Sequence, residues 1–283
     1  MPPLKTELSF WLKKYQIKPS KDLGQCFLVA ENALRKIIAA AETKPGDRVL
    51  EIGGGTGVLT QKLLEKGAEV VTVEKDSRLA LILHERFDIE RKTGRLKIIQ
   101  ADFLNLPFPE TLQSLGWFGG EYKVVANLPY QITSPAIERI LERDFLPSLA
   151  ALTIQKEVVE RICAQPGQLS SLAVLVQACT QKCTLVSKFP PANFHPQPEV
   201  DSALLKLEGI AYPPGVKIKQ LRRVIRAGFA QKRKKLKKNL QNVFDQKLVE
   251  DIWTKLGLSE NIRAQELDVN EWIGITKIID ITP

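Results

Sequence analysis

Arg48-Val49-Leu50-Glu51-Ile52 runs straight into Gly53-Gly54-Gly55-Thr56-Gly57, and no other stretch restricts the folding of this chain as much. An apolar run that stops at a glycine cluster predicts a buried strand and a tight turn, because glycine tolerates the left-handed backbone such turns need. A helix through Glu65 and a second, β-branched run, Val70-Val71-Thr72-Val73 ending at Glu74, complete a βαβ unit. Pro45-Gly46-Asp47 ends the helix predicted over 32–41 before it.

The alternation continues with a helix over 77–87 and strands over 96–100, 123–126, 150–154, 183–186 and 203–207. Strands alternating with helices imply an α/β fold, a parallel sheet with right-handed crossovers and helices on both faces. The proline-rich stretch 190–198 reads as an irregular surface loop. Leu8, Trp11, Leu12 and Tyr15 fall at helical spacing, followed by a basic turn around Lys18 and Lys21, so residues 1–30 read as an N-terminal arm. Gly209, Pro213, Pro214 and Gly215 mark a composition shift. Residues 1–208 are therefore expected to form the larger domain and 209–283 a smaller, all-helical one.

Charge separates these two parts. Of a net charge of +9, residues 209–283 carry 15 Lys and Arg against 8 Asp and Glu, a net +7, which leaves +2 for the rest. From Lys217 to Lys238 no acidic residue intervenes. Arg222, Arg223, Lys232, Arg233, Lys234, Lys235, Lys237 and Lys238 are thus candidates for binding the phosphates of a nucleic acid without reading its sequence. The run 232–238 is expected within a helix whose Ile225, Phe229, Leu236 and Leu240 face a core. The four cysteines (26, 163, 179 and 183) form no Cys-x-x-Cys pair and lie far from His84 and His195, which argues against a zinc site and for reduced thiols in a cytoplasmic protein. No apolar stretch reaches the roughly 18 residues of a membrane span, so no membrane partner is expected.

Several residues carry chemistry. The glycine turn lets backbone approach a ligand closely, and Glu74, about twenty residues on, is placed to accept hydrogen bonds from ribose hydroxyls. A nicotinamide dinucleotide would need glycine where Val58 stands, so the pattern suits a nucleoside cofactor without a pyrophosphate. Asp102, after a strand, either accepts from an adenine amine or caps a turn. Asn127-Leu128-Pro129-Tyr130 ends the next strand. The Asn127 side-chain oxygen and the Leu128 carbonyl could bind both hydrogens of an adenine N6 amine, drawing its delocalised lone pair out of the ring towards a sulfonium methyl. Pro129 keeps Leu128 out of the helical region. Tyr130 could stack on a flipped-out base, and Phe194, in its proline loop, either stacks on the other face or packs beneath the loop. His195 reads as structural.

In this order the motifs resemble the small-subunit ribosomal RNA adenine dimethyltransferases of the KsgA type. The resemblance runs through residues 23–28, Glu51 to Gly57, Glu74, Asp102, Asn127 to Tyr130, 155–159, 194–202, 229–235 and 263–267. It implies a Rossmann-like class I S-adenosylmethionine methyltransferase sheet with a helical second domain. It also implies dimethylation of N6 on two adjacent adenosines in the 3′-terminal hairpin loop of small-subunit rRNA, within a maturing pre-30S particle and by a monomer. Cofactor contacts would come from the backbone near Cys26 and Leu28, and from Gly53, Gly55, Glu74, Asp102 and Asn127. The family usually has Asn or His where Cys26 stands, so a backbone contact is expected there rather than a side-chain one. Three readings compete. A large-subunit, macrolide-resistance dimethyltransferase would share the site, a non-catalytic assembly or transcription factor would not need Asn127 to Tyr130 intact, and a nicotinamide oxidoreductase is opposed by Val58.

Overall fold

The computed structural model describes residues 3–20, 24–117, 121–142 and 145–281; Lys21 and Leu23 lie outside the described residues. Helix α1 (Leu4–Lys14) leads to β1 (Phe27–Leu28) and α2 (Glu31–Ala41). The expected βαβ unit follows as β2 (Arg48–Ile52), α3 (Val58–Glu65) and β3 (Glu69–Glu74), then α4 (Ser77–Arg86), α5 (Asp88–Lys92) and β4 (Leu96–Gln100). Next come α6 (Phe108–Ser114), β5 (Lys123–Asn127), α7 (Thr133–Leu141) and β6 (Leu149–Gln155). Helices α8 (Lys156–Ile162) and α9 (Ser171–Ala178) precede β7 (Thr180–Phe189), β8 (Phe194–His195) and β9 (Ser202–Ile210). Thereafter the chain is helical, with α10 (Ile218–Gly228), α11 (Leu236–Gln241), α12 (Gln246–Leu256) and α13 (Val269–Ile281).

The seven-stranded sheet has the order β4-β3-β2-β5-β6-β9-β7. Its first five strands are parallel, and Val124, Val125, Ala126, Ala150, Ala151 and Leu152 are wholly buried, as strands covered on both faces must be. The all-parallel expectation fails at β9, which pairs antiparallel with β6. No α-helix separates β7 from β9, and a parallel return would need a crossover of a dozen or more residues, usually helical. The proline-rich stretch is less irregular than expected: its β8 pairs with β1, aligning Leu28 with Phe194. Leu8 and Leu12 of helix α1, with Ile17 just beyond it, dock beside Leu79 and Ile82. Glu7 of α1 pairs with Arg86, whose guanidinium also donates to the Thr56 carbonyl at 2.8 Å, so the arm reaches the glycine turn.

The chain divides into two compact units, residues 1–159 with 184–208 and residues 160–183 with 209–283. The boundary expected from composition puts 160–183 with the larger domain. The structure groups this segment with the helical one because α9, with Ala173, Val174 and Val176 fully buried, packs on α10 and α13.

Within the second unit only the end of the basic run, Lys237 and Lys238 on α11, is helical; Lys232 to Lys235 are not. Helix α10 ends at Gly228, and residues 230–235 form an exposed turn before α11. Like charges three and four apart also stand on the helical α10, so their repulsion alone does not forbid a helix here. The turn has its own brace: the Asn239 amide donates to the carbonyls of Gly228 (2.7 Å) and Gln231 (3.1 Å), satisfying groups a helix end leaves open. Ile225, Leu236 and Leu240 are buried as expected, and Phe229 stacks on Trp272 with ring centroids 5.3 Å apart.

A Cβ added at Gly228 would lie 2.3 Å from the Trp272 ring and 2.8 Å from Leu236. Alanine gains about 1 kcal/mol of helix propensity over glycine, whereas overpacking costs about 1 to 3 kcal/mol. Trp272 is fully buried and has nowhere to move, so overpacking wins. Gly228→Ala should destabilise the protein by about 1 to 2 kcal/mol in urea denaturation; a more stable variant would mean that propensity dominates.

Candidate active site

Parallel pairing brings the strand ends into one row. Ile52 sits opposite Val73, and Glu74 opposite Gln100, so the turns after β2, β3, β4 and β5 open on the same edge of the sheet. Ligands in such sheets collect beyond the carboxyl ends of the strands. A cavity of about 290 Å³ lies there, lined by Gly53, Gly55, Glu74, Asp102, Asn127 and Tyr130 among others.

The glycine turn is shaped for close approach. Gly53 has φ +79°, a left-handed backbone, and its N–H donates to Val73 at 2.8 Å. Gly57 has φ +85°, and a Cβ there would meet the Phe87 ring at 2.4 Å, so this glycine lets the turn pack against α4 and α5. The Gly55 N–H donates to one Glu74 oxygen at 2.9 Å, and the Asp76 N–H donates to the other at 2.8 Å. Each carboxylate oxygen keeps a second lone pair for a ligand. Glu74 is 7% exposed, and burial pushes its pKa up.

Asp102 caps a turn and also faces the cavity. Its oxygens accept from the Leu104 N–H at 2.9 Å and from the Lys75 ammonium at 2.9 Å, while the side chain lines the cavity wall. The Lys75 hydrogen bond holds its carboxyl below the usual range.

At the end of β5 the Asn127 amide nitrogen donates to the Cys26 carbonyl at 3.0 Å. That bond orients the side chain and leaves its oxygen as an acceptor. Cys26 acts here through its backbone, and burial pushes its thiol pKa up. The Leu128 N–H donates to Thr153 at 3.0 Å, and Pro129 follows at φ −56° and ψ +134°. The Tyr130 hydroxyl is 2.7 Å from that of Ser202, and burial raises its pKa, so it remains a neutral phenol.

Two expected residues sit differently. Phe194 lines the cavity but is only 2% exposed and belongs to the apolar core with Leu28. Leu28 does not reach the cavity; in a strand alternate side chains face opposite ways, and Phe27 lines the wall instead. Gln25 and Asp76 join the site although sequence motifs do not single them out. Gln25 donates to Asp76 at 3.1 Å, and Asp76 caps α4 by accepting from the Arg78 N–H at 3.0 Å. An acid two residues beyond Glu74 and just ahead of a helix is a legible N-cap signal.

Glu51 is a further residue that the motifs do not mark as functional. It is fully buried beneath the turn, with one oxygen accepting from the Thr60 hydroxyl at 2.5 Å. Burial, reinforced by the nearby Glu74, pushes its pKa to about 8, so the carboxyl is protonated at neutral pH.

On the second unit, Lys219, Arg222, Arg223 and Arg226 recur at i, i+3, i+4 and i+7 and line a cleft of about 490 Å³ with Val243. Arg223 also lies over the Phe244 ring at 4.8 Å. Lys232, Arg233, Lys234 and Lys235 are exposed on the turn, and Lys238 is exposed on α11. Lys237 is not presented like them: it pairs with Glu250 at 2.6 Å and Glu260 at 2.7 Å.

A glycine turn, a buried acid at the end of the next strand and an Asn-Leu-Pro-Tyr turn, all on one sheet edge, are the features of a class I methyltransferase. A family model described as ribosomal RNA adenine dimethylase matches residues 17–280, and the chain belongs to that family. It is 35% identical to the ribosomal RNA small subunit methyltransferase A of Nostoc sp. (strain PCC 7120), over 94% of this chain and 99% of that protein. Identity to the protein of the same name from Dehalococcoides mccartyi is also 35%, over 96% of this chain and 92% of that one. Among solved structures, a dimethyladenosine transferase from Plasmodium falciparum superposes with a TM-score of 0.70 at 28% identity, covering 88% of this chain and 95% of that one. The 23S rRNA methyltransferase ErmE gives 0.66 at 25% identity, covering 90% and 99%.

Glu51 sets a pH dependence. The unfolded chain releases its proton near 4.5, the folded chain only near 8, so the folded state holds the extra proton between these values and loses stability as pH rises through them. Stability should fall over this window, and Glu51→Gln should flatten the profile by gaining most at its upper end. Parallel profiles for the two proteins would place the buried proton elsewhere.

Proposed function

We propose that this chain transfers methyl groups from S-adenosylmethionine to N6 of two adjacent adenosines in the 3′-terminal hairpin loop of small-subunit rRNA, in the cytoplasm and on a maturing subunit. The observation that carries this reading is the position of Asn127 to Tyr130: the turn forms one wall of the cavity whose other walls carry Gly53, Glu74 and Asp102.

The residues present suit the cofactor. Glu74 and Asp102 keep lone pairs for ribose and adenine donors, the positive-φ glycines expose backbone to a ligand, and an acidic rim favours a cation. When bound, S-adenosylmethionine supplies an electrophilic methyl group on a positively charged sulfur. The protein's part is to position the nucleophile. The Asn127 oxygen and the Leu128 carbonyl accept the two amine hydrogens, which weakens conjugation into the ring and directs the nitrogen lone pair. The Cys26 carbonyl and Thr153 hold these two acceptors still. Tyr130, tethered to Ser202, offers a ring face to the base and remains protonated, so it does not act as a base. Phe194 backs the same pocket from the core. The cleft on α10 and the turn 230–235 would hold rRNA phosphates.

The large-subunit reading has support in the fold shared with ErmE. The higher identity to small-subunit proteins over nearly the whole chain favours the small-subunit reading. Assembly duty would coexist with catalysis in a monomeric enzyme.

Purified protein should convert unmodified small subunits to N6,N6-dimethyladenosine, read by mass spectrometry of the product nucleosides. Asn127→Ala should lower the rate by at least about 100-fold, the scale of losing one preorganised catalytic hydrogen-bond partner, while rRNA binding persists. A product limited to monomethyladenosine, or transfer only to large-subunit rRNA, would sink the proposal.

Charge removal on the exposed turn gives an independent check. Replacing Lys232, Arg233, Lys234 and Lys235 by Gln should weaken rRNA binding and reduce the salt slope by about 0.7 to 0.9 for each phosphate no longer neutralised. Lys237→Gln should leave the slope unchanged, since its charge already faces two carboxylates. Equal slopes for the quadruple variant and the native protein would make the turn a solvated surface.

A further inference from the structure

Two thiols outside the methyl-transfer site sit against each other. Cys163, just after α8, and Cys183, in β7, have sulfurs 3.3 Å apart; neither is in a disulfide, and both are partly exposed. Neither lines the cavity at the sheet edge. Their approach is held by the backbone around them. The Gln177 amide donates to the carbonyls of Ile162 (2.7 Å) and Ala164 (2.9 Å), clamping the chain on both sides of Cys163. Cys183 is fixed in a ten-residue strand. Between them lie the buried Leu169 and the apolar helix α9, part of the core of the second unit. The remaining gap to a bond length of about 2.05 Å is little more than 1 Å.

We propose that Cys163 and Cys183 are a redox modification site, which a small disulfide of the glutathione class converts to an intramolecular disulfide. Either thiol can donate its hydrogen to the other sulfur, so loss of one proton leaves a thiolate held against the remaining thiol. That protein thiolate attacks the small disulfide, whose S–S bond breaks and releases one small thiolate, which takes up the proton the protein thiol lost. The other cysteine of the pair then gives up its proton and attacks the protein sulfur of the mixed disulfide, expelling the second small thiol. The protein loses two electrons and two protons, and one small disulfide becomes two thiols. Of the other cysteines, Cys179 is fully buried with its pKa pushed up to about 12, so it does not compete.

The bond would close a loop whose ends are 20 residues apart and thereby staple α9 into its unit. Loop closure of this size restricts the unfolded chain enough to raise the melting temperature by about 5 °C or more.

The test is incubation of the full-length protein with oxidised glutathione, followed by intact mass and peptide mapping. Expected are a loss of about 2 Da, two of the four cysteines unreactive to maleimide after denaturation, a Cys163–Cys183 linked peptide, the rise in melting temperature, and reversal by dithiothreitol. Cys163→Ser and Cys183→Ser should each stop at a mixed disulfide on the remaining thiol of the pair. Four reactive cysteines after oxidation, a link through Cys26 or Cys179, or stable double glutathionylation without a crosslink would overturn the proposal. The native protein's map decides the matter even where a variant fails to fold.

Discussion

The N–H of Gly55 donates to the buried carboxylate of Glu74, and the geometry of the site follows from that contact. It joins the turn after β2 to the end of β3, two points 19 residues apart that parallel pairing sets side by side. Because Glu74 is buried and accepts two backbone N–H bonds, its carboxylate cannot swing away without leaving charge and donors unsatisfied. The neutral Glu51 below and Arg86 behind, reaching from Glu7 to the Thr56 carbonyl, support the same turn. Two acids close together are sustained because one keeps its proton.

The Asn127 turn is held by a separate set of contacts, and these come from distant parts of the chain. Cys26 contributes a carbonyl from 101 residues away, Thr153 another from the neighbouring strand, and Ser202 a hydroxyl to Tyr130. The first two are backbone carbonyls, which ask little of side-chain identity, whereas the third needs a hydroxyl. The departure at Cys26 from the family's usual Asn or His is accommodated for that reason.

The second unit divides its cations by their surroundings. Lys219, Arg222, Arg223 and Arg226 share a helix face opposite the apolar stripe of Leu221, Val224 and Ile225. Lys232 to Lys235 stand on a turn that Asn239 braces, whereas Lys237 is turned into Glu250 and Glu260. A row of like charges in sequence thus becomes an arginine-lined cleft, an exposed basic turn and one internally paired lysine.

The βαβ unit, the positions of nearly every strand, and the site acids Glu74 and Asp102 with the Asn127 turn are legible in the order of residues alone. These are local signals: apolar periodicity, glycine where φ is positive, and charged or polar residues at strand ends that parallel pairing must bring to one edge. No local signal says that Phe27 rather than Leu28 faces the cavity, that Glu51 keeps a proton, or that residues 160–183 join the helical unit. Nor does any separate Lys237 from its neighbours or bring Cys163 to Cys183. Those outcomes depend on which distant groups become neighbours and how far water is excluded from them, and both are fixed only when the chain packs.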